Sequence, residues 1–265
     1  HFFFNYTATT EIYTLSIHDA LPISGILVSC SDYHIYKKLG WNRSQAMHNY
    51  CSVVYDALEA GVIPRCHFED ITRADFYGFV LPFATKLMEM SRDAGIPVKI
   101  RACDTLGLGT SIQGVVLPRS VQQIIFGLTN YCGVPSENLE WHGHNDFYNA
   151  VPNAVTAWLF GCASVNTSLL GIGERTGNTP LEAMCIEYCQ LKGNSGGMDL
   201  KVITEIAEYF ENELHYEIPP RTPFVGRAFN ATRAGIHADG LMKDEEIYNI
   251  FNTTDILGKA PIVVV

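Results

Sequence analysis

His142-Gly143-His144-Asn145-Asp146 sets two imidazoles two residues apart, and Gly171-Ile172-Gly173-Glu174-Arg175-Thr176-Gly177-Asn178 follows some thirty residues later. On a strand, side chains two apart leave the same face, so both rings address one point. Neutral imidazole is a common ligand of divalent metals. The amide oxygen of Asn178, on a glycine-rich loop, offers a harder third donor. Taken alone, a His-x-His pair is more often plain surface hydrogen bonding; the second motif turns the balance toward a metal centre.

The elements that must carry these groups alternate strand and helix. Apolar runs predict strands over 25–29, 62–68, 98–103, 139–142 and 163–167. Helical periodicity predicts helices over 43–60, 76–94, 120–131, 150–161 and 179–191, with Gly61 and Gly95 placed to close the first two. Such β-α alternation implies parallel strands with crossover helices, as a barrel or a doubly wound sheet. The polar motifs choose between these: Asp32 and His34, Glu69 and Arg73, Asp104 and Thr105, His142 and His144, and Glu174 to Asn178 all fall at or just beyond the carboxyl ends of strands. Convergence of five consecutive strand ends on one site is what a (β/α)₈ barrel offers.

Ser31-Asp32-Tyr33-His34, Glu69-Asp70-Ile71-Thr72-Arg73, Asp104-Thr105-Leu106-Gly107, the His-Gly-His-Asn-Asp run, the Gly-Glu-Arg-Thr-Gly-Asn loop and Ala234-Gly235-Ile236-His237 occur in one order along 25–265. Together they resemble the metal-dependent acyl-CoA synthases and lyases that include isopropylmalate, homocitrate and Re-type citrate synthases, and more distantly hydroxymethylglutaryl-CoA lyase. The resemblance implies an α/β fold, a partial (β/α)₈ TIM barrel holding strands four to eight, with a small C-terminal linker subdomain. It implies a cytoplasmic acyltransferase that joins acetyl-CoA to a 2-oxo acid with a divalent metal, Zn, Mn or Mg. The oxo acid stays open among 2-oxoisovalerate, oxaloacetate and 2-oxoglutarate, with the wording nearest the citrate and homocitrate side.

By the same resemblance, His142, His144 and Asn178 hold the metal, and Glu69 joins the proton-transfer network. Arg73, Thr105 and His34 touch substrate, Glu174 and Asp146 support the ligands, and His237 assists catalysis from a segment that crosses to a partner subunit in a homodimer. Each has an ordinary competitor. Glu69 and Arg73, four apart, also suit a local ion pair, and Asp104 suits a turn cap as well as a substrate contact. His67 and His215 read as structural. The family's first strand, with its Asp-Arg-Glu signature, supplies an acidic ligand and an arginine that have no counterpart here, so the chain by itself is expected to bind metal weakly and to lack normal turnover. Lyase or carboxyltransferase chemistry is the alternative within enzymes. The family's lyases use a cysteine in the loop after the last strand, and 171–178 contains none. A non-catalytic metal-binding fragment is the alternative outside them.

Residues 1–24 resemble the conceptual translation of a sequencing adaptor and are expected to be non-native, so His18 and Asp19 are not site candidates. Residues 25–195 are expected to form the partial barrel and 196–265 the C-terminal helix and linker, with an amphipathic helix over 200–214 and Pro219, Pro220 and Pro223 marking the connection. A net charge of −10 with no basic cluster argues against a nucleic-acid partner, and no apolar run reaches bilayer length. The eight cysteines are scattered without a Cys-x-x-Cys pair, as reduced thiols would be.

Overall fold

A computed structural model describes residues 12–15, 23–233 and 235–263. Most of 1–24 and Ala234 therefore lie outside the described residues. The described chain divides into two compact units, one of 1–167 with 173–179 and one of 168–172 with 180–265. Residues 180–195 thus group with the second unit.

In the first unit β1 (Ile12–Leu15) pairs antiparallel with β2 (Ile23–Ser29), and β2 then begins a parallel run. After α1 (Arg43–Glu59) come β3 (Ile63–Glu69), α2 (Leu81–Ala94), β4 (Lys99–Asp104), α3 (Val121–Asn130), β5 (Leu139–Gly143), α4 (Ala150–Leu159) and β6 (Ser164–Asn166). The sheet order is β1-β2-β3-β4-β5-β6, with each strand from β2 onward parallel to the next. The helix limits follow local chemistry. Asn42 and Gln45 form a reciprocal capping box at the start of α1, and Ser120 caps Gln123 at the start of α3. Gly61 and Gly95 take left-handed φ values of 71° and 65° beyond α1 and α2, as their placement predicts.

Alternation along the strands sorts the sheet into two faces. Ile26, Val28, Cys66, Phe68, Ile100, Ala102, Leu139 and Trp141 are all buried, and they supply the apolar core. The opposite face carries Ser29, Arg65, His67, Glu69, Lys99, Arg101, Glu140, His142 and Asn166, which cross-strand register sets in rows. Ser29 stands beside Glu69, His67 beside Arg101, Arg101 beside Glu140, Cys103 beside His142, and His142 beside Asn166. A polar face at the strand ends is therefore written into the period-two pattern itself.

The second unit contains α5 (Leu181–Lys192), α6 (Val202–Asn212), β7 (Ala231–Thr232), α7 (Gly235–Lys243), α8 (Thr253–Leu257) and β8 (Ile262–Val263). Its core joins Ile186 of α5 to Leu200, Ile203, Ala207, Ile218, Val225 and Leu257. That shared apolar surface explains why α5 groups with the later helices. β7 and β8 pair in parallel, and 213–230 holds no helix or strand where the prolines cluster.

Candidate active site

The strand ends of the first unit carry two polar groups. The first is built on β5. His142 Nδ1 lies 2.7 Å from Asn166 Oδ1 on β6. An amide oxygen only accepts, so the ring proton sits on Nδ1 and the Nε2 lone pair is left free. That Nε2 is 3.2 Å from Nε2 of His144. Two imidazole nitrogens bound to one cation at about 2.1 Å lie about 3.0–3.4 Å apart, so the pair has the spacing that sharing a cation gives.

Asn178 completes the corner. Its Nδ2 is 3.4 Å from His144 Nε2, and its Oδ1 packs where a Cβ on Gly173 would come within 1.8 Å. Only glycine at 173 leaves room for that amide. The two amide ends are nearly isosteric, so a half-turn presents oxygen to the histidines. His144 Nδ1 is buried without a hydrogen-bond partner, the Glu174 backbone lying near it but outside bonding geometry. No group of three or more His, Cys, Asp or Glu suited to a metal occurs among the described residues. Two neutral nitrogens and an amide thus fit a divalent cation, with coordination positions to spare for other donors.

The loop that brings Asn178 in is locked by Arg175. In a left-handed backbone conformation at φ 56°, it donates to both Asp146 oxygens at 2.8 and 2.9 Å and to the Thr105 carbonyl at 2.7 Å. Asp146 is the counter-ion of Arg175, so its support reaches Asn178 through that loop and not a histidine directly. Glu174 turns outward, 84% exposed and 3.8 Å from Arg175, so its carboxylate orients neither ring. Asn166 does that for His142 instead.

The second group surrounds Glu69, which accepts from the Ser29 hydroxyl, lies 3.0 Å from His34 Nδ1 and receives Lys38 Nζ at 3.1 and 3.0 Å. A π-helical turn, Tyr33–Lys38, brings His34 and Lys38 to one carboxylate. Burial disfavours the charge on Glu69, but hydrogen bonds from His34 and Ser29 outweigh it and hold the carboxyl down at about 2. Glu69 is therefore ionised and weakly basic. Arg73 does not pair with Glu69 across the four-residue spacing. Its Nε bonds both Asp70 oxygens at 2.9 Å, with a 2.7 Å contact from the second guanidinium nitrogen. Two of its three guanidinium nitrogens are thus committed to Asp70, which sets the orientation of the side chain. The Thr105 hydroxyl is likewise occupied, accepting the Asp70 N–H at 2.8 Å. Asp104 caps its own turn, accepting from Thr72 at 2.8 Å and from the N–H groups of Leu108 and Gly109 at 2.9 Å.

His237 belongs to the second unit, exposed on α7 with its ring 4.3 Å from that of Tyr248. Asn166, Ser29, Lys38 and Asp70 are the participants that motif reading misses. Cross-strand register identifies the first two, since Asn166 stands beside His142 and Ser29 beside Glu69. Lys38 and Asp70 depend on the π-helical turn and on Asp70's left-handed φ of 62°.

Titration of these groups makes stability depend on pH. Burial, above all, lowers His142 from 6.5 to about 4, and burial with Arg101 and Arg65 lowers His67 from 6.5 to about 3. Burial raises Asp104 from 3.8 to about 6 against its hydrogen bonds. As pH falls from 7 to 5, the unfolded chain gains protons on His142 and His67 that the native chain leaves bare, and His144, lowered by burial, acts in the same sense. The native chain gains a proton on Asp104, and Glu182, raised by burial, acts in that opposite sense. Unfolding thus takes up net protons, and stability falls on acidification, by about 1.4 kcal/mol per pH unit for each net proton. Thermal melts of the metal-free protein at pH 7, 6 and 5 are expected to show a falling Tm; a Tm that rises toward pH 5 refutes this balance.

The chain as a whole has counterparts among known proteins. A family model described as HMGL-like matches residues 22–210. The chain is similar to the Citrate (Re)-synthase of Clostridium kluyveri, 64% identical over 242 residues that make up 91% of this chain and 53% of that protein. It is 57% identical to the Citrate (Re)-synthase of Syntrophus aciditrophicus over 92% of this chain and 38% of that protein. The chain spans about half the length, or less, of these curated relatives. Among solved structures, hydroxymethylglutaryl-CoA lyase from Pseudomonas aeruginosa superposes with a TM-score of 0.55 at 18% identity, covering 73% of this chain and 63% of that one. At that identity the likeness speaks for the fold alone, a TIM barrel to which the five parallel strands belong.

Proposed function

The chain belongs to the HMGL-like family, and on that premise we propose that the protein carrying it condenses acetyl-CoA with oxaloacetate to citrate, as a Re-type citrate synthase. The observation that carries the reading is the pairing of His142 Nε2 and His144 Nε2 at 3.2 Å with Asn178 beside them. His142, His144 and Asn178 would hold a divalent metal, which supplies Lewis-acid polarisation of a 2-oxo group when bound. Asn166 keeps His142 in the tautomer that offers Nε2. Arg175, clamped by Asp146, holds the 173–179 loop against β5 and so fixes Asn178. Glu69, kept ionised, lies against His34 Nδ1 while His34 Nε2 stands 3.7 Å from the Asp70 carboxylate, so the two acidic groups set the orientation of that ring at the strand ends. His237 and a homodimer belong to the same proposal through the 234–237 motif.

The test is release of free thiol from acetyl-CoA by the full-length protein, offered oxaloacetate, 2-oxoglutarate or 2-oxoisovalerate in turn, with citrate identified as product. Turnover is expected with oxaloacetate and is expected to require added divalent metal after chelation. Thiol release with none of the three acids defeats the reading.

A further inference from the structure

The apolar core of the second unit is not filled. A cavity of about 210 Å³ opens between α5, α6 and the turn at 169–170, with the buried Leu200, Ile203 and Val225 among its walls. Leu169, Leu181, Met198 and Val202 form a partly exposed apolar lip. Apolar cavities of roughly 150 Å³ stay dry and accept a molecule the size of benzene. This one has room for a small ring or branched chain that carries one further group.

One side chain inside does not match such a lining. Glu182, in the first turn of α5, is 6% exposed, and burial pushes its pKa up. One of its oxygens accepts the Leu170 N–H at 3.1 Å, which ties α5 to the turn where Leu170 takes a left-handed φ of 55°. No Lys, Arg or His lines the cavity, and no cation among the described residues acts on this carboxyl. Other buried acids are provided for. Asp70 has Arg73, and Asp104 has hydrogen bonds from Thr72, Leu108 and Gly109. A buried carboxylate facing an apolar space with no counter-charge is costly, and a cation is the partner that removes the cost.

We propose that this cavity binds a small organic cation, a primary ammonium carried on an aromatic ring or short branched chain, with the ammonium on Glu182 and the apolar part against Leu200, Ile203 and Val225. An anionic ligand is rejected, because its charge meets Glu182 and the second acid of the lining, Asp199, with no base to receive it. A neutral molecule of the same shape gains the apolar contact but lacks the charge-assisted hydrogen bond. All of these residues lie in the second unit, and none belongs to the strand-end groups, so the site stands or falls apart from the condensation reading.

The experiment offers the full-length protein three probes of one shape at pH 7: benzylamine, benzyl alcohol and benzoate. Affinities come from isothermal titration, and the rate at which iodoacetamide alkylates Cys185, followed by peptide mass spectrometry, locates the site. Cys185 is half-buried and lines the cavity, whereas Cys189, one turn farther along α5, does not. Benzylamine is expected to bind about tenfold or more tightly than benzyl alcohol and to slow alkylation of Cys185 but not of Cys189, with benzoate inert. Glu182→Gln, which keeps the shape and loses the charge, is expected to weaken benzylamine by about tenfold or more. Circular dichroism and melting identify a glutamine variant that has lost its fold, in which case the ranking of the three probes on the parent protein decides. Benzylamine that binds no better than benzyl alcohol, or that leaves the Cys185 rate unchanged, overturns the proposal. So does a folded Glu182→Gln protein that keeps the full affinity for benzylamine.

Discussion

Alanine at position 144 in the full-length protein is expected to remove the bound divalent metal and to lower condensation by about a thousandfold or more, the several kcal/mol that Lewis-acid catalysis supplies. His144 is 7% exposed, and its ring contributes one of the two nitrogens that meet at 3.2 Å. Without it, His142 and the Asn178 amide remain as a nitrogen and an oxygen with no second imidazole to set their geometry. The loss separates from misfolding because β5 keeps its parallel ladders to β4 and β6, which are made by backbone groups. Elemental analysis after dialysis against trace metal, run beside a thermal melt, is the measurement. A folded His144→Ala protein that keeps stoichiometric metal shows that the imidazole pair is hydrogen-bonded structure and nothing more. Asn166→Ala is the graded companion. It leaves both ligands but frees the His142 tautomer, and a loss of about 10- to 100-fold in metal affinity is expected.

The placement of His142 and His144 was legible because a strand has a fixed side-chain period and the motif spans two residues of it. The same rule made the parallel strands legible, and the observed β3, β4, β5 and β6 start and end within a residue or so of the apolar runs that announce them. What the sequence did not disclose is which carboxylate each cation would choose. Spacing offers Glu69 to Arg73, yet Asp70 takes it, because the left-handed turn at Asp70 folds its side chain back onto the helix-like turn that follows. Glu174 and Asp146 illustrate the same limit: both are acidic and both flank the site, but only Asp146 faces Arg175 with two oxygens. Competition among short-range partners is settled by backbone angles at single residues, and those angles leave little trace in residue type when the residue is not glycine. The polar row of His67, Arg101 and Glu140 was hidden for a different reason. Its members are far apart in sequence and meet only through register.

Asp70→Ala is expected to destabilise the fold by about 3–5 kcal/mol, the cost of leaving a paired cation without its partner in a buried setting. Asp70 is fully buried, and it receives the Ser31 hydroxyl as well as the Arg73 fork. Removing it strands both donors at once. The backbone argues in the same direction: φ at 70 is 62°, a conformation that alanine adopts less readily than aspartate or asparagine. Asp70→Asn then separates the two contributions, since it tolerates the left-handed turn and still accepts one hydrogen bond while losing the charge. Its expected cost is smaller than that of alanine, about 2–3 kcal/mol. Arg73 also rests its guanidinium 4.4 Å from the Tyr33 ring centre, so an Arg73→Met, Asp70→Asn double variant keeps the stacking surface while removing the lone charge. If the buried pair behaves as an ion pair in low dielectric, the double variant recovers much of the single-variant loss. Urea unfolding of the four proteins gives the coupling directly. Simple additivity of the two substitutions shows that Asp70 stabilises the strand end through its turn geometry and not through Arg73.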